Sequence, residues 1–464
     1  MENKLNKKQK IILTITIIAV ILTAIMPMKL SPVWNGEIPD HRNQYELMAN
    51  AILNGHLYLE YDVDEKLLNM DNPYDHDERK KLGVDYHWDH AFYKGHYYMY
   101  FGVAPVFLTF IPYKIITGHV LTTYHATQLY VAGCIIGIFS LFYLIRKLFY
   151  KNFKFGIYLL CSAVLSLLCI WYAVDAPALY CTAITSGLCL AIWSIFFFIK
   201  AVFDNLSENK SILYATLGSL CGALTFACRP PIGLVNILVI PLLITYLKKR
   251  KLNKKLLTKL CLAALPYFIV AGLLMTYNYI RFENPFEFGQ SYQLTITDQQ
   301  QYSKALSNIN LLNLLNNIKI YFFEINEYTE KLPFVNFSGI LINFPILIFA
   351  YILLFNNNFR KQLKIKNIWW LYITLLIVPI IIVIVDSLFS PYPLERYRMD
   401  IYYIMTIATF IAFCNYDLNF KNQNNKKYTI ILSILLILTL IKIVLLYLVP
   451  YDSNYTDFFN IFNN

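Results

Sequence analysis

The sequence predicts an all-α, polytopic membrane protein in which residues 1–464 form a single integral membrane domain. Apolar residues make up 57% of the chain, and its mean hydropathy is +0.46, whereas about 45–50% apolar residues is usual for a soluble domain. Apolar runs long enough to cross a hydrocarbon core of roughly 30 Å as helices recur along the whole chain. Together these two observations exclude an ordinary soluble domain.

About eleven transmembrane helices are expected, because each run is continuously apolar and lacks the period-2 alternation of a half-buried strand. Their predicted positions are 11–28, 123–145, 155–173, 178–199, 212–228, 231–247, 256–276, 339–355, 368–388, 399–414 and 428–449.

The charge distribution predicts the orientation. Basic residues gather in short connectors such as 248–259 and 360–366, and Lys and Arg in short loops mark the cytoplasmic side. Residues 30–103 instead contain 13 acidic and six basic residues. We therefore expect a cytoplasmic N-terminus and two extracellular loops, 30–122 and 277–338. The net charge of +11 reflects this topology, so no nucleic-acid partner is expected.

One further apolar run, 101–116, is not expected to cross the membrane. It is short and contains two prolines and a lysine. A crossing would also place the following basic connectors outside the cell, against the orientation rule. We expect this run to lie in the interface or to enter the membrane and return. Residues 306–325 are a second candidate interfacial helix, and 357–367 is interpreted as a solvated cytoplasmic turn.

Asp40 is the candidate catalytic residue. It follows the first predicted span in a segment that also contains Glu37, His41 and Arg42. A carboxylate at a lipid–water boundary can act as a general base, because partial desolvation raises its pKa. The neighbouring side chains could bind an anionic substrate group. An ordinary polar loop end is the alternative, although residues 44–59 are amphipathic and could form a helix flat on the membrane beside Asp40.

A second group in the first loop combines carboxylates, histidines and aromatic residues. Asp89 and His90 lie in the segment Tyr86-His-Trp-Asp-His90, which is followed by a tyrosine-rich stretch. Aromatic faces stack on sugar rings and carboxylates bind their hydroxyls, so the group suits sugar recognition. It suits an aromatic belt at the membrane surface equally well. No histidine spacing typical of a zinc site is present, and neither a metal nor a cofactor is expected.

Four arginines on the expected extracellular side are candidates for binding a phosphate. Arginine in or near a membrane is costly unless it is paired or functional, and its guanidinium chelates phosphate oxygens bidentately. Local salt bridges are the alternative, for instance Arg281 with Glu283, or Arg396 with Glu395 or Asp400. The four candidates are Arg229, Arg281, Arg396 and Arg398.

This pattern resembles the GT-C superfamily of multi-pass membrane glycosyltransferases, above all its protein mannosyltransferase-like and aminoarabinose transferase-like members. The resemblance implies that Asp40 is the catalytic carboxylate, that Arg396 and Tyr397 lie near the donor phosphate, and that 101–118 borders the active site. Two departures stand out. The usual acidic pair is replaced by Asp40 and His41, and no prolines follow the Arg-Tyr pair.

The expected function is transfer of a sugar from a polyprenyl-phosphate donor, with inversion, to a glycan, lipid or protein acceptor. Asp40 would deprotonate the acceptor hydroxyl, and the arginines would bind the donor phosphate within the membrane lipid. The expected location is the plasma membrane, with the active site extracellular, and the heavy use of Lys, Asn and Ile suggests a bacterium. A flippase or transporter of a lipid-linked glycan, and a glycan ligase or polymerase of another fold, remain alternatives.

Overall fold

A computed structural model describes residues 5–31, 43–177, 179–250, 253–304, 310–325, 338–390, 393–419 and 425–448. Strands β1 (Ala91–Tyr93) and β2 (His96–Tyr98) pair as an antiparallel hairpin. The α-helices are α1 (Lys7–Ile25), α2 (Gln44–Leu53), α3 (Glu65–Leu68), α4 (His76–Leu82), α5 (Ile111–Thr117), α6 (Thr123–Phe149), α7 (Phe155–Asp175), α8 (Leu179–Phe203), α9 (Glu208–Cys228), α10 (Pro230–Gly233), α11 (Val239–Lys248), α12 (Lys254–Phe282), α13 (Gln299–Lys304), α14 (Leu311–Phe323), α15 (Ile340–Asn343), α16 (Phe349–Ile352), α17 (Asn357–Ile365), α18 (Trp369–Phe389), α19 (Glu395–Asn419) and α20 (Asn425–Tyr447).

In the part of the chain that the structure describes, nine helical segments are long and apolar enough to cross a membrane. Nine of the eleven predicted runs coincide with them, which confirms a polytopic helical membrane protein. These segments are Lys7–Leu30, Thr123–Phe149, Phe155–Asp175, Leu179–Phe203, Glu208–Cys228, Pro230–Lys248, Lys254–Phe282, Trp369–Leu388 and Lys427–Tyr447.

The two remaining predicted runs have different structures. The run 399–414 lies within α19, whose side chains from 398 to 415 are all buried. Because α7, α8 and α18 pack around α19, it needs no lipid-facing surface and can carry polar residues in its first turns. The run 339–355 forms four short helical turns of differing type. The last three follow one another without a break as one apolar helical segment, Pro345–Phe355, which is shorter than a membrane span.

The first loop packs onto the helices instead of lying free. Helix α2 forms where the amphipathic segment predicts a helix, but protein covers its apolar side. Tyr45 and Met48 are fully buried, and the Tyr45 ring stacks on Phe110 with centroids 5.4 Å apart. The expected flat helix at the membrane surface is therefore shorter than predicted and faces the protein core.

Two short helices instead expose apolar side chains. A continuous helix, Val106–Thr117, occupies most of the run 101–116. Its length of about 18 Å is well below the roughly 30 Å needed for a crossing. Phe107 and Ile116 on this helix are 52% and 81% exposed. Helix α14 likewise exposes Leu311 and Leu312, so both helices have an apolar surface suited to a lipid interface.

Candidate functional site

Asp89 is the loop carboxylate that the fold buries next to the helix ends. It has a positive φ of 56°, a backbone region that aspartate tolerates better than most residues. Its backbone N–H donates to the Leu294 carbonyl at 3.1 Å. One carboxylate oxygen accepts from the Tyr180 hydroxyl, and the other accepts from Gln293 Nε2 at 3.0 Å. The first loop, the second loop and the start of α8 therefore meet at Asp89.

The surroundings of Asp89 alter its titration. Burial raises the pKa of the Asp89 carboxyl, because the charged form loses its hydration. The hydrogen bond from Tyr180 and the positive charge of Arg396 act in the opposite direction, but they do not cancel the effect of burial. Asp89 therefore takes up a proton at a higher pH than an exposed aspartate does.

Arg396 lies on the other side of Tyr180, in the first turn of α19. Its guanidinium carbon is 4.0 Å from the centre of the Tyr180 ring and 5.5 Å from that of Tyr397. Among the described residues no acceptor forms a hydrogen bond or ion pair with Arg396, whose side chain is only partly buried. Tyrosine faces thus hold this cation while its N–H groups stay available to an anion.

Arg229, between α9 and α10, is paired within the protein. Its Nε lies 2.7 and 2.8 Å from the two carboxylate oxygens of the fully buried Asp400. The Arg229 guanidinium is also 5.3 Å from the Tyr397 ring, so Tyr397 lies against two arginines. Asp386, buried at the end of α18, acts electrostatically on both members of the pair. The charge of Arg229 is therefore compensated by Asp400 through Nε, whereas its two Nη groups have no acceptor among the described residues.

Gly102 allows the first loop to approach Arg229 closely. A Cβ atom at this position would lie 2.1 Å from the Cys228 carbonyl oxygen and 2.3 Å from that of Ala227. Only glycine permits this approach, since a side chain would collide with backbone. The Tyr45 hydroxyl donates to the Gly102 carbonyl at 3.3 Å. The loop backbone thus lies directly on the last turn of α9.

Arg281 is a structural residue in this arrangement. It donates to the Met99 carbonyl at 2.6 Å and to Asn278 Oδ1 at 2.9 Å, and its guanidinium lies 3.7 Å from the Tyr277 ring centre. It does not pair with Glu283, which instead bonds to Lys94. Arg281 therefore fixes the first loop to the end of α12.

Arg398 is also held by protein groups. It donates to Glu395, to Glu324 Oε2 at 2.6 Å and to the Ser338 carbonyl at 3.0 Å. The two local pairings considered for Arg396 thus form with other arginines, because Glu395 binds Arg398 and Asp400 binds Arg229. Of the four predicted phosphate-binding arginines, Arg396 is the one for which no guanidinium nitrogen has an acceptor within the described parts of the chain, whereas Arg229 uses its Nε alone.

His90 packs inside the first loop and contacts the residues around Asp89. It is fully buried, and its Nδ1 lies 2.8 Å from the Trp88 carbonyl and 3.3 Å from Gln44 Nε2. Gln44 Nε2 also donates to the Asp89 carbonyl at 3.0 Å. His90 therefore helps to hold the backbone at Asp89. Among the described residues no group of three or more His, Cys, Asp or Glu is arranged to hold a metal ion.

The remaining predicted site residues, Glu37, Asp40, His41 and Arg42, lie outside the described residues. Sequence reasoning also overlooked residues that the fold brings to the site. Tyr180 and Gln293 had no distinguishing pattern, since each is one polar side chain beside an apolar or neutral stretch. Asp386 was hidden within a predicted span.

Comparison of the chain with protein-family models, with curated proteins and with solved structures finds no match. The Asp89–Tyr180–Arg396 arrangement is therefore the feature of this chain from which a function can be inferred.

Proposed function

We propose that the protein is a membrane glycosyltransferase, which transfers a sugar from a polyprenyl-phosphate donor to an acceptor at the extracellular face. The observation that carries this proposal is the environment of Arg396. Its guanidinium is held on tyrosine rings at the end of a buried helix, and no described protein group uses its donors. A partly buried cation of this kind at the membrane edge suits the phosphate of a lipid-linked substrate.

The neighbours of Arg396 suit the sugar of such a donor. Asp89 offers carboxylate oxygens, and Tyr180 and Tyr397 offer ring faces within the same cluster. Carboxylates accept hydrogen bonds from sugar hydroxyls, and aromatic rings cover the apolar face of a pyranose. The same small region therefore offers partners for both halves of a sugar phosphate.

The reaction assigned to this site is a single displacement. Asp40 would take the proton of the acceptor hydroxyl, and the acceptor oxygen would bond to the anomeric carbon. The bond from that carbon to the phosphate oxygen would break, and the lipid phosphate would leave with the electron pair. Arg396 would stabilise the charge that develops on this phosphate. The assignment of Asp40 comes from the GT-C resemblance.

The test is transfer of labelled sugar from a polyprenyl-phosphate donor by the purified protein. Removing a preorganised group that stabilises developing charge typically lowers kcat by roughly 100- to 1000-fold, which we expect for Arg396→Gln. Asp40→Asn should lower transfer at least as strongly. Lys254→Gln is the control, because Lys254 is an exposed cation at the start of α12, at the other end of that helix from Arg281.

The result also separates the alternatives. Transfer unchanged in Arg396→Gln would overturn the role of this arginine. Movement of the lipid-linked glycan across a vesicle membrane without transfer would assign the protein to the flippase class. Products that lengthen by whole repeat units would instead indicate a polymerase.

A further inference from the structure

Helix α17 forms a second cationic surface, beyond the end of α18 opposite to Asp386. The stretch expected to be a solvated turn is an ordered helix on which Phe359 and Leu363 are fully buried. Asn415 Nδ2 on α19 donates to the Phe359 carbonyl at 3.1 Å. Because one side of α17 is fixed to the core, the position of its basic side is fixed as well.

The basic side of α17 borders a cavity of about 350 Å³. The cavity is open to solvent, because its lining residues on α17 are exposed. Arg360 donates to Asn357 in the wall of the cavity, and Lys364 Nζ lies 5.5 Å from the Trp369 ring centre. In the described ranges no carboxylate pairs with Lys361 or Lys364. The lining residues are Asn357, Arg360, Lys361, Lys364 and Trp369.

The sequence around the cavity strengthens its positive potential. Residues 356–368 contain four basic residues and no acidic residue. Opposite charges therefore do not neutralise the cluster from within its own segment. An anion in the cavity would meet several cations at once, which is the usual arrangement for binding a phosphate group.

Exposed apolar side chains stand within two positions in the sequence of residues that line the cavity. Phe355, just before α17, is 86% exposed, Ile365 is 62% exposed and Trp370 is 64% exposed. Trp369 and Trp370 open α18, one of the candidate membrane spans, and tryptophan at a span end is typical of the membrane–water interface. A ligand with a negatively charged head and an apolar tail would match both surfaces, whereas free phosphate would use the cations alone.

We propose that the cavity beside α17 binds the phosphodiester headgroup of an anionic phospholipid, with the acyl chains against the neighbouring apolar side chains. The site is separate from the Arg396 cluster and does not depend on the proposed sugar transfer. In the expected orientation it faces the cytoplasmic leaflet, where anionic lipids attract basic residues near the membrane. Each basic residue near that surface contributes roughly fivefold in affinity.

The test is native mass spectrometry of the full-length protein titrated with phosphatidylglycerol, phosphatidylcholine or inorganic phosphate. We expect preferential binding of phosphatidylglycerol. The double variant Lys361→Gln/Lys364→Gln should bind it roughly 25-fold more weakly, whereas Lys361→Arg/Lys364→Arg should keep most of the affinity. Lys80→Gln/Lys81→Gln is the matched control, because it removes two adjacent exposed lysines from α4.

Equal affinity for phosphatidylcholine would show that charge does not select the ligand and would overturn the proposal. Binding of inorganic phosphate as tight as that of the lipid would reduce the cavity to a site for a free anion. An equal loss in the Lys80→Gln/Lys81→Gln control would assign the effect to net charge alone. Sugar-transfer activity is not part of the readout, so failure of the proposed function leaves this test unaffected.

Discussion

Arg396 and Arg398 stand two residues apart in the first turn of α19, yet their surroundings differ in kind. Arg398 is bonded to Glu395, to Glu324 and to a backbone carbonyl, with only 3% of its residue surface exposed. Arg396 faces Tyr180 and the Asp89 side of the helix, and tyrosine rings are its contacts. The same residue type is a structural group on one face of the helix and an available cation on the other.

The difference shows why arginine near a membrane is ambiguous in a sequence. A buried arginine must have its charge compensated, and a pair of carboxylates does so permanently. Stacking on tyrosine compensates the charge only in part, because the N–H donors stay without acceptors. An anionic ligand would supply acceptors for the donors of Arg396, whereas at Arg398 it would compete with carboxylates that are already bound.

The largest expected effect is on folding. Arg398→Met would leave Glu395 and Glu324 without their cation, and breaking a buried pair typically costs about 3–5 kcal/mol. We expect a large fall in the thermal unfolding temperature of the detergent-solubilised protein. Arg398→Met combined with Glu395→Gln should recover part of the loss. Arg396→Gln should change the unfolding temperature little, and an equal loss there would remove the distinction between the two arginines.

A smaller effect is expected for the ring that supports Arg396. Tyr180→Leu removes both the aromatic face and the hydroxyl, whereas Tyr180→Phe keeps the face. A partly desolvated cation–π contact contributes about 1–2 kcal/mol, so binding of polyprenyl phosphate should weaken roughly 5- to 30-fold in Tyr180→Leu. The Phe variant should stay much closer to wild type. Equal weakening in both variants would show that the hydroxyl, and not the ring, supports the site.

The smallest expected effect is a pH dependence caused by Asp89. Burial raises the pKa of this carboxyl above its usual value of 3.8. As the pH falls through the raised pKa, Asp89 becomes neutral and stops repelling an anion at Arg396. Affinity for polyprenyl phosphate should therefore rise a few-fold on acidification and fall again as the pH increases.

Asp89→Asn provides the control for this pH dependence. The ligand phosphate titrates as well, so the quantity to measure is the difference in affinity between wild type and Asp89→Asn across the pH range. We expect that difference to be largest above the raised pKa, where only the wild type carries the negative charge. A constant difference would contradict electrostatic coupling between Asp89 and Arg396.

Much of the architecture could be predicted from the sequence, because membrane spans are encoded locally. A continuous apolar run can contact lipid through its own side chains. Nine predicted runs coincide with helices that are long and apolar enough to cross a membrane. Prediction was weakest where protein replaces lipid. The side chains of α2 and α17 suggested surface segments, but Tyr45 and Phe359 are buried against other elements. Amphipathicity shows that a helix has two faces, not what covers each face.

For the candidate site, the sequence predicted which residues are involved but not how they pair. The sequence identified Asp89, Arg229, Arg396 and Tyr397 as chemically suitable. It did not show that Asp400 pairs with Arg229 or that Tyr180 lies between Asp89 and Arg396. Arg229 and Asp400 are 171 positions apart, and Tyr180 and Arg396 are farther apart still, so the packing of the helices sets these pairings.

By itself the sequence determined that the chain is a helical membrane protein with acidic and basic segments kept apart. The length of an apolar run and the charge of a loop are properties of the local sequence and do not depend on tertiary contacts. Only the tertiary structure decided which of these cations are paired with carboxylates and which have no acceptor among the described residues. The physical reason is that the energy of a buried charge depends on the atoms within a few ångströms of it, and for these arginines many of those atoms come from distant parts of the chain.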